Sequence, residues 1–186
     1  MANTPSNMLP LGTQAPAFYL KDTNSNNYYS FAQLKGEKGT LVMFICNHCP
    51  FVLHVMEEII MIANDYRVQG IGIIAISSNV PERYPQDSPE RMSQFAFDNK
   101  MDFPYLFDNT QEVAKAYDAA CTPDFYVFDV QDKLVYRGQL DDSRPGNNIP
   151  LSGSDLRTAI DGVLYNRSIP QSQKPSMGCS IKWKQS

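Results

Sequence analysis

The chain has 186 residues, and its 16 lysine and arginine residues against 20 aspartate and glutamate residues give a formal net charge of −4. A hydrophobic content of 42% suffices for a packed core, and a charged fraction of 19% is too low for a disordered chain. No basic stripe could neutralise a row of phosphates, so nucleic acid is not an expected partner. The length predicts a single domain over residues 1–186, with an ordered core of about 10–166 and a C-terminal extension of about 167–186.

The apolar runs of the chain are short. Residues 41–46 and 71–76 are typical of them, whereas a membrane span needs roughly 18 residues. Residues 1–16 contain no lysine or arginine and no apolar stretch like the core of a signal peptide. We therefore expect no membrane association and a cytoplasmic location. Four cysteines are too few for a disulfide scaffold, and in a reducing compartment paired cysteines are typical of redox chemistry or metal binding.

The apolar pattern predicts alternating strands and helices. In chain order these are strands at 17–20 and 28–30 around a turn, a helical turn capped by Ser30 and Gln33, a buried strand at 40–46, an amphipathic helix from Pro50, a buried strand at 71–76, a helix from Ser88 and Pro89, a strand at 105–107, a helix near 109–119, a hairpin of 125–130 and 134–137, and a closing helix at 156–164. A parallel βαβ unit followed by a hairpin and a helix indicates a three-layer α/β fold. The central sheet is expected to be mixed, with helices on both faces, an N-terminal β-hairpin and an irregular C-terminal tail.

A C-x-x-C motif, Cys46 to Cys49, lies where the buried strand meets the amphipathic helix. Pro50 suits the first helical turn, so the helix amides and dipole favour a thiolate there and can lower a cysteine pKa from about 8.5 to between about 3.5 and 7.5. We expect Cys46 to reach solvent and attack, Cys49 to lie in the first turn and release the mixed disulfide, and protonated His48 to add a cation. The alternative is a pair of inert core thiols.

Several motifs resemble the thioredoxin superfamily, and most closely its peroxiredoxin-like branch of the alkyl hydroperoxide reductase/thiol-specific antioxidant type. They are Pro16-Ala17-Phe18, the strand entering the C-x-x-C, Cys121-Thr122-Pro123-Asp124-Phe125, the segment 141–146 and the tail 174–179, which together cover nearly the whole chain. The resemblance implies a thioredoxin-like fold and a redox-active disulfide. It also implies a cis peptide bond before Pro123, which would face the C-x-x-C and hold the substrate chain. We place Thr122, directly before it, with the predicted catalytic residues.

The chain departs from true peroxiredoxins, whose peroxidatic cysteine lies in P-x-x-x-T/S-x-x-C. Counting back from Cys49 puts Cys46 and Val42 at the hydroxyl and proline positions, and counting back from Cys46 puts Met43 and Gly39 there. Dithiol-disulfide exchange requires only the cysteine pair. The sequence therefore favours exchange, and thiol-dependent peroxidase activity, which would make the protein an antioxidant, is the alternative.

Four residues have weaker claims to a role in the site. Cys121 is either a second acceptor of a mixed disulfide or a small buried residue at a strand entrance. Cys179 lies in a tail rich in proline, serine and glycine, where a mobile cysteine would resolve a sulfenic acid on Cys46 or remain unpaired. Arg144 either binds a substrate carboxylate or braces its loop against Asp141 or Asp142. His48 belongs to the motif itself.

Metal binding is the second class of hypothesis, because the two histidines, His48 and His54, both lie near the C-x-x-C. Positions five apart on a helix diverge by about 140°, so His54 cannot readily join Cys49 around one ion. A zinc site would need a second cysteine or histidine pair, although copper suits thiolate and imidazole ligands. We predict no metal and no cofactor. The expected activity is that of a thiol-disulfide oxidoreductase, acting on protein or small-molecule disulfides and thiols and reduced by a separate enzyme.

Overall fold

The structure is a computed structural model that describes residues 3–185. Its strands are β1 (Asn3–Pro5), β2 (Tyr19–Asp22), β3 (Tyr28–Ser30), β4 (Gly39–Phe44), β5 (Ile71–Ser77), β6 (Tyr105–Phe107), β7 (Cys121–Thr122), β8 (Asp124–Phe128), β9 (Leu134–Gly138) and β10 (Met177–Ser180). Its helices are α1 (Phe31–Leu34), α2 (Pro50–Arg67), α3 (Pro89–Asp98), α4 (Glu112–Ala116) and α5 (Ser154–Leu164), with a 3₁₀ turn at Pro85–Asp87. No helix within residues 3–185 is long and apolar enough to cross a membrane.

The central sheet has seven strands in the order β3-β2-β6-β5-β4-β8-β9. Strand β5 runs parallel to both β4 and β6, and the other neighbours are antiparallel. Side chains of β4 alternate between the two faces, because Leu41 and Met43 pack with α2, α3 and α5, whereas Val42 and Phe44 pack with α1 and α4. The predicted mixed sheet with helices on both faces is confirmed.

Local signals in the sequence place several element ends. Ser30 caps α1 through the reciprocal hydrogen bonds with Gln33 that the sequence predicts. Ser88 caps α3, with Pro89 in the first turn. The N-terminal hairpin forms from β2 and β3, with the first strand at Tyr19–Asp22 instead of 17–20.

A second, three-stranded sheet in the order β1-β10-β7 was not predicted. It takes one strand from each end of the chain, so Asn3–Pro5 and Met177–Ser180 are ordered although both lie outside the predicted core of about 10–166. The expectation of an irregular tail is therefore wrong for Met177–Ser180. The strand pairs on both sides, with Cys179 opposite Asn3 and opposite Thr122, and these backbone bonds stabilise a segment with little apolar content.

Candidate active site

The C-x-x-C motif connects the end of β4 to the start of α2. Helix α2 begins at Pro50, and Cys49 is its N-cap residue. The unpaired amides of the first helical turn therefore point toward Cys49, and the backbone N–H of Val52 donates to its sulfur. Cys46 lies three residues before the N-cap.

Hydrogen-bond donors converge on the sulfur of Cys49. Its Sγ lies 2.8 Å from Sγ of Cys179 and 3.2 Å from the backbone oxygen of Thr122, to which it donates when it is a thiol. As a thiolate it accepts from the Cys46 thiol, the Cys179 thiol and the Val52 amide. The hydrogen bond from Cys46 is the largest of these effects, and together they lower the pKa of Cys49 to about 5 despite its burial.

Cys46 has the opposite electrostatic environment. Its side chain is only 1% exposed, and Sγ lies 3.3 Å from Oγ1 of Thr122. The pKa of Cys46 is raised well above that of an ordinary cysteine, because its thiol donates to Cys49, because it is buried and because Asp87 is nearby. The expectation that Cys46 reaches solvent is wrong for this structure, and the shift of its pKa has the opposite direction to the expected one.

The Thr122–Pro123 peptide bond is cis, as the resemblance implies. Thr122 contacts both cysteines of the motif, Cys46 through its hydroxyl and Cys49 through its carbonyl oxygen. Pro123 is covered by the C-terminal segment, because the hydroxyl of Ser176 donates to the Pro123 carbonyl oxygen at 2.6 Å. The edge predicted to hold a substrate chain is therefore occupied by the protein's own tail.

Cys179 is part of the sulfur cluster. It is 2% exposed, lies in β10, and its pKa is raised to about 12, first by burial and then by its hydrogen bond to Cys49. The expectation of a mobile cysteine that swings over to Cys46 is wrong, because strand pairing holds Cys179 beside Cys49.

Cys121 is completely buried in β7, and burial raises its pKa strongly. Its sulfur lies 3.8 Å from the Pro123 carbonyl oxygen, as expected of a small core residue at a strand entrance.

His48 faces a buried carboxylate that the sequence analysis did not single out. Its Nδ1 lies 2.8 Å from Oδ2 of Asp87, and its ring stacks on Tyr84 with an interplanar angle of 7°. Asp87 has no exposed surface and also accepts hydrogen bonds from the Asn47 backbone amide at 2.8 Å and the Asn79 side chain at 2.7 Å. Asp87 lies 38 residues after Cys49, at the end of the 3₁₀ turn Pro85–Asp87, and no local pattern links the two positions.

One possible ligand set for a metal exists among residues 3–185. Cys46, His48 and Asp87 each bring a ligand atom within 4.8 Å of the others. Both carboxylate oxygens of Asp87 accept hydrogen bonds from neighbouring residues, and the sulfur of Cys46 contacts the Thr122 hydroxyl. His54 is separate, with Nε2 2.7 Å from the Ser143 hydroxyl.

Arg144 braces its own loop. Its guanidinium donates to the backbone oxygens of Asp141 at 2.6 Å and Ser143 at 2.7 Å. The partners are carbonyl groups and not the side-chain carboxylates that the sequence suggested. Arg144 and Pro123 nevertheless line the same small cleft, so the loop forms one wall beside the cis bond.

Comparison with known proteins agrees with this geometry. A sequence model described as the AhpC/TSA family matches residues 11–137, which include the C-x-x-C and the cis proline. The chain belongs to the AhpC/TSA family. An uncharacterized conserved protein from Geobacillus kaustophilus, known from a crystal structure, is 56% identical, with 100% of this chain and 98% of that chain covered and a TM-score of 0.98.

Two relatives with named activities are more distant. The thioredoxin domain of a thiol-disulfide oxidoreductase from Bacteroides vulgatus is 20% identical, with 74% of this chain and 91% of that chain covered and a TM-score of 0.60, so the two share the fold. The thiol-disulfide oxidoreductase ResA of Halalkalibacterium halodurans is 29% identical over 106 residues, which are 57% of this chain and 55% of that protein. The match spans about half the length of this curated relative. The resemblance to thioredoxin-superfamily redoxins is confirmed.

Proposed function

We propose that this AhpC/TSA-family protein is a thiol-disulfide oxidoreductase that acts by dithiol-disulfide exchange through Cys46 and Cys49. The observation that carries the proposal is the placement of the C-x-x-C pair, with Cys49 at the N-cap of α2 and both sulfurs in contact with Thr122 directly before the cis proline. It combines a stabilised nucleophile with a second thiol able to form a disulfide with it. The named activity of the curated relative adds support.

The reaction uses the two thiols of the protein, the substrate disulfide and one proton from solvent. The Cys49 thiolate attacks one sulfur of a substrate disulfide, the substrate S–S bond breaks, and the departing thiolate takes a proton from solvent. The Cys46 thiol then gives up its proton and attacks Sγ of Cys49, and the second substrate sulfur leaves with that proton. The protein has become a Cys46–Cys49 disulfide, and two electrons have passed to the substrate.

The order of attack differs from the one that the sequence analysis favoured. The sequence suggests Cys46 as the first nucleophile, whereas the donors around Cys49 favour Cys49. A thiolate exchanges in proportion to its ionised fraction, and the pKa of Cys49 is lowered by its donors whereas that of Cys46 is raised. The exchange chemistry is the same for either order.

The burial of the sulfurs determines which substrates can react without a conformational change of the protein. Cys46, Cys49 and Cys179 are all at most 2% exposed, so a folded protein substrate requires local opening of the segments over the site. Small disulfides need less opening of these segments.

We infer that the substrates are disulfides and thiols, that a separate reductase restores the reduced form, and that the protein acts in the cytoplasm. Immunoblotting of separated cell fractions tests the location.

Reduction of oxidised glutathione by the prereduced protein tests the proposal. The wild-type protein should release two equivalents of glutathione per Cys46–Cys49 disulfide formed, whereas Cys46→Ser/Cys49→Ser should release none. Cys121→Ser, which removes another buried thiol, is the control and should behave like wild type. Release of glutathione by the double variant would refute the assignment of exchange to this pair.

A further inference from the structure

Three sulfurs, not two, meet at the start of α2. Sγ of Cys179 lies 2.8 Å from Sγ of Cys49, although the two residues are 130 positions apart in the chain. The contact is fixed from both sides, because Cys49 caps α2 and Cys179 is paired with Thr122 and with Asn3. Cys49 is thus the shared neighbour of two thiols.

Strand β10 also occupies the place expected for a substrate chain. It runs antiparallel beside β7, directly before the cis bond, and Ser176 donates to the Pro123 carbonyl oxygen. In this arrangement the tail presents a cysteine to the nucleophile from the same edge at which an external chain would present its sulfur. The backbone of Ser6 donates to Ser176 and holds the lead-in to the strand.

We propose that Cys179 is a third redox-active cysteine, which resolves mixed disulfides on Cys49 by forming an intramolecular Cys49–Cys179 disulfide. The proposal rests on the exchange function proposed above and adds a second route for its release step. Cys121 does not share this role. It lies in the neighbouring strand opposite Ser180, and its sulfur is directed at the Pro123 carbonyl oxygen.

The chemistry balances with the substrate disulfide as the oxidant. Attack by the Cys49 thiolate forms a bond to one substrate sulfur and releases the other. Cys179 then loses its proton and attacks Sγ of Cys49, the bond from Cys49 to the substrate breaks, and the second substrate thiol leaves with that proton. Two protein thiols are oxidised and one substrate disulfide is reduced to two thiols. A later attack by Cys46 on Cys49 converts Cys49–Cys179 into Cys46–Cys49 without any net change in oxidation.

The test isolates Cys179 by removing Cys46. Prereduced wild type, Cys46→Ser, Cys46→Ser/Cys121→Ser and Cys46→Ser/Cys179→Ser are treated with one equivalent of oxidised glutathione and mapped by mass spectrometry under non-reducing conditions. Cys46→Ser should give a peptide linked between Cys49 and Cys179 and retain no glutathione. The added Cys121→Ser change should leave that product unaltered. With Cys179→Ser added, glutathione should stay on Cys49 on the order of 100-fold longer, because the neighbouring intramolecular thiol is gone.

A second oxidant separates failure of this proposal from failure of the exchange function. Diamide oxidises adjacent thiols without a disulfide substrate, and in Cys46→Ser it should also give the Cys49–Cys179 link. If wild type releases glutathione while Cys46→Ser keeps it on Cys49, exchange stands and the role of Cys179 is refuted. If wild type does not react with oxidised glutathione but diamide gives the Cys49–Cys179 disulfide in Cys46→Ser, the exchange function is refuted while the pairing of Cys49 with Cys179 stands. A Cys49–Cys121 link, or no link with diamide, overturns the proposal.

Discussion

Strand β10 approaches β7 so closely that a Cβ atom added to Gly178 would lie 1.9 Å from the carbonyl oxygen of Thr122. No side chain fits in that space, so β10 can pack this closely against β7 only with glycine at this position. The next residue, Cys179, is thereby brought to 2.8 Å from Cys49. The glycine in the tail therefore sets the position of the third sulfur.

Gly178→Ala should push β10 away from β7. We expect the free energy of unfolding, measured by urea denaturation, to fall by about 1–3 kcal/mol, since the added methyl group overpacks a buried contact. In the Cys46→Ser background the yield of the Cys49–Cys179 link should also fall.

Gly146→Ala is the control for Gly178→Ala. Gly146 has φ +81° but no neighbouring atom within 4 Å, so alanine there costs only the backbone strain of about 1–2 kcal/mol. The Cys49–Cys179 link should form normally in this variant. An undiminished link in Gly178→Ala would contradict the close packing of the two strands.

The thiolate of the reduced protein should belong to Cys49. Its ultraviolet absorbance should rise as the pH increases through about 5, because the folded-state pKa of Cys49 is lowered and the thiol is protonated only below that value. Cys46→Ala removes the strongest donor and should move the transition to higher pH. Cys49→Ser should abolish it, and a transition near the same pH that survives Cys49→Ser would reassign the thiolate to another cysteine.

Single substitutions in the motif should reveal which sulfur attacks. Cys49→Ser should form no adduct with oxidised glutathione, because burial and the nearby Asp87 carboxylate still raise the pKa of Cys46 after its hydrogen bond to Cys49 is lost. Cys46→Ser should still react, because the Val52 amide and Cys179 continue to stabilise the Cys49 thiolate. Mass spectrometry of the intact protein measures any adduct on Cys49→Ser, and the glutathione released measures the reaction of Cys46→Ser. Accumulation of a stable adduct in Cys49→Ser would restore the order suggested by the sequence, with Cys46 first.

Much of the fold follows from patterns local in the chain. The buried run before Cys46, the helix beginning at Pro50 and the caps at Ser30 and Ser88 each depend on neighbouring residues, and each is confirmed. The cis bond at Pro123 is confirmed as well, but it came from the family resemblance.

The parts that could not be predicted depend on contacts between distant residues. Strand β10 has no apolar alternation, and its order comes from pairing with the two strands beside it. Asp87 raises the pKa of Cys46 only because the tertiary structure places Asp87 beside the C-x-x-C motif, where it accepts a hydrogen bond from the Asn47 amide. The lowered pKa belongs to Cys49 instead of Cys46 because the Cys46 thiol, the Cys179 thiol and the Val52 amide all donate to Cys49, and Cys179 reaches it only through strand pairing.

Peroxide should react slowly with this protein. Fast reduction needs donors that stabilise the leaving oxygen as the O–O bond breaks, and one such donor commonly accounts for about 100- to 1000-fold in rate. The hydroxyl position three residues before Cys49 is taken by Cys46, whose S–H is a weak donor, and the Thr122 hydroxyl contacts Cys46 instead of Cys49. Burial of the sulfurs limits access further. The thiol-peroxidase alternative therefore lacks its activating group at the reactive sulfur.

Stopped-flow measurement of the second-order rate constant with hydrogen peroxide tests this expectation, with a small thiol as the reference after correction for its thiolate fraction. The two constants should agree within about tenfold, because the thiolate alone then determines the rate. Thr122→Val, which removes only the hydroxyl, should leave the constant nearly unchanged. An excess of about 1000-fold or more over the small thiol, lost in Thr122→Val or in a variant of Arg144, would show that these groups activate peroxide and that peroxidase activity ranks above exchange.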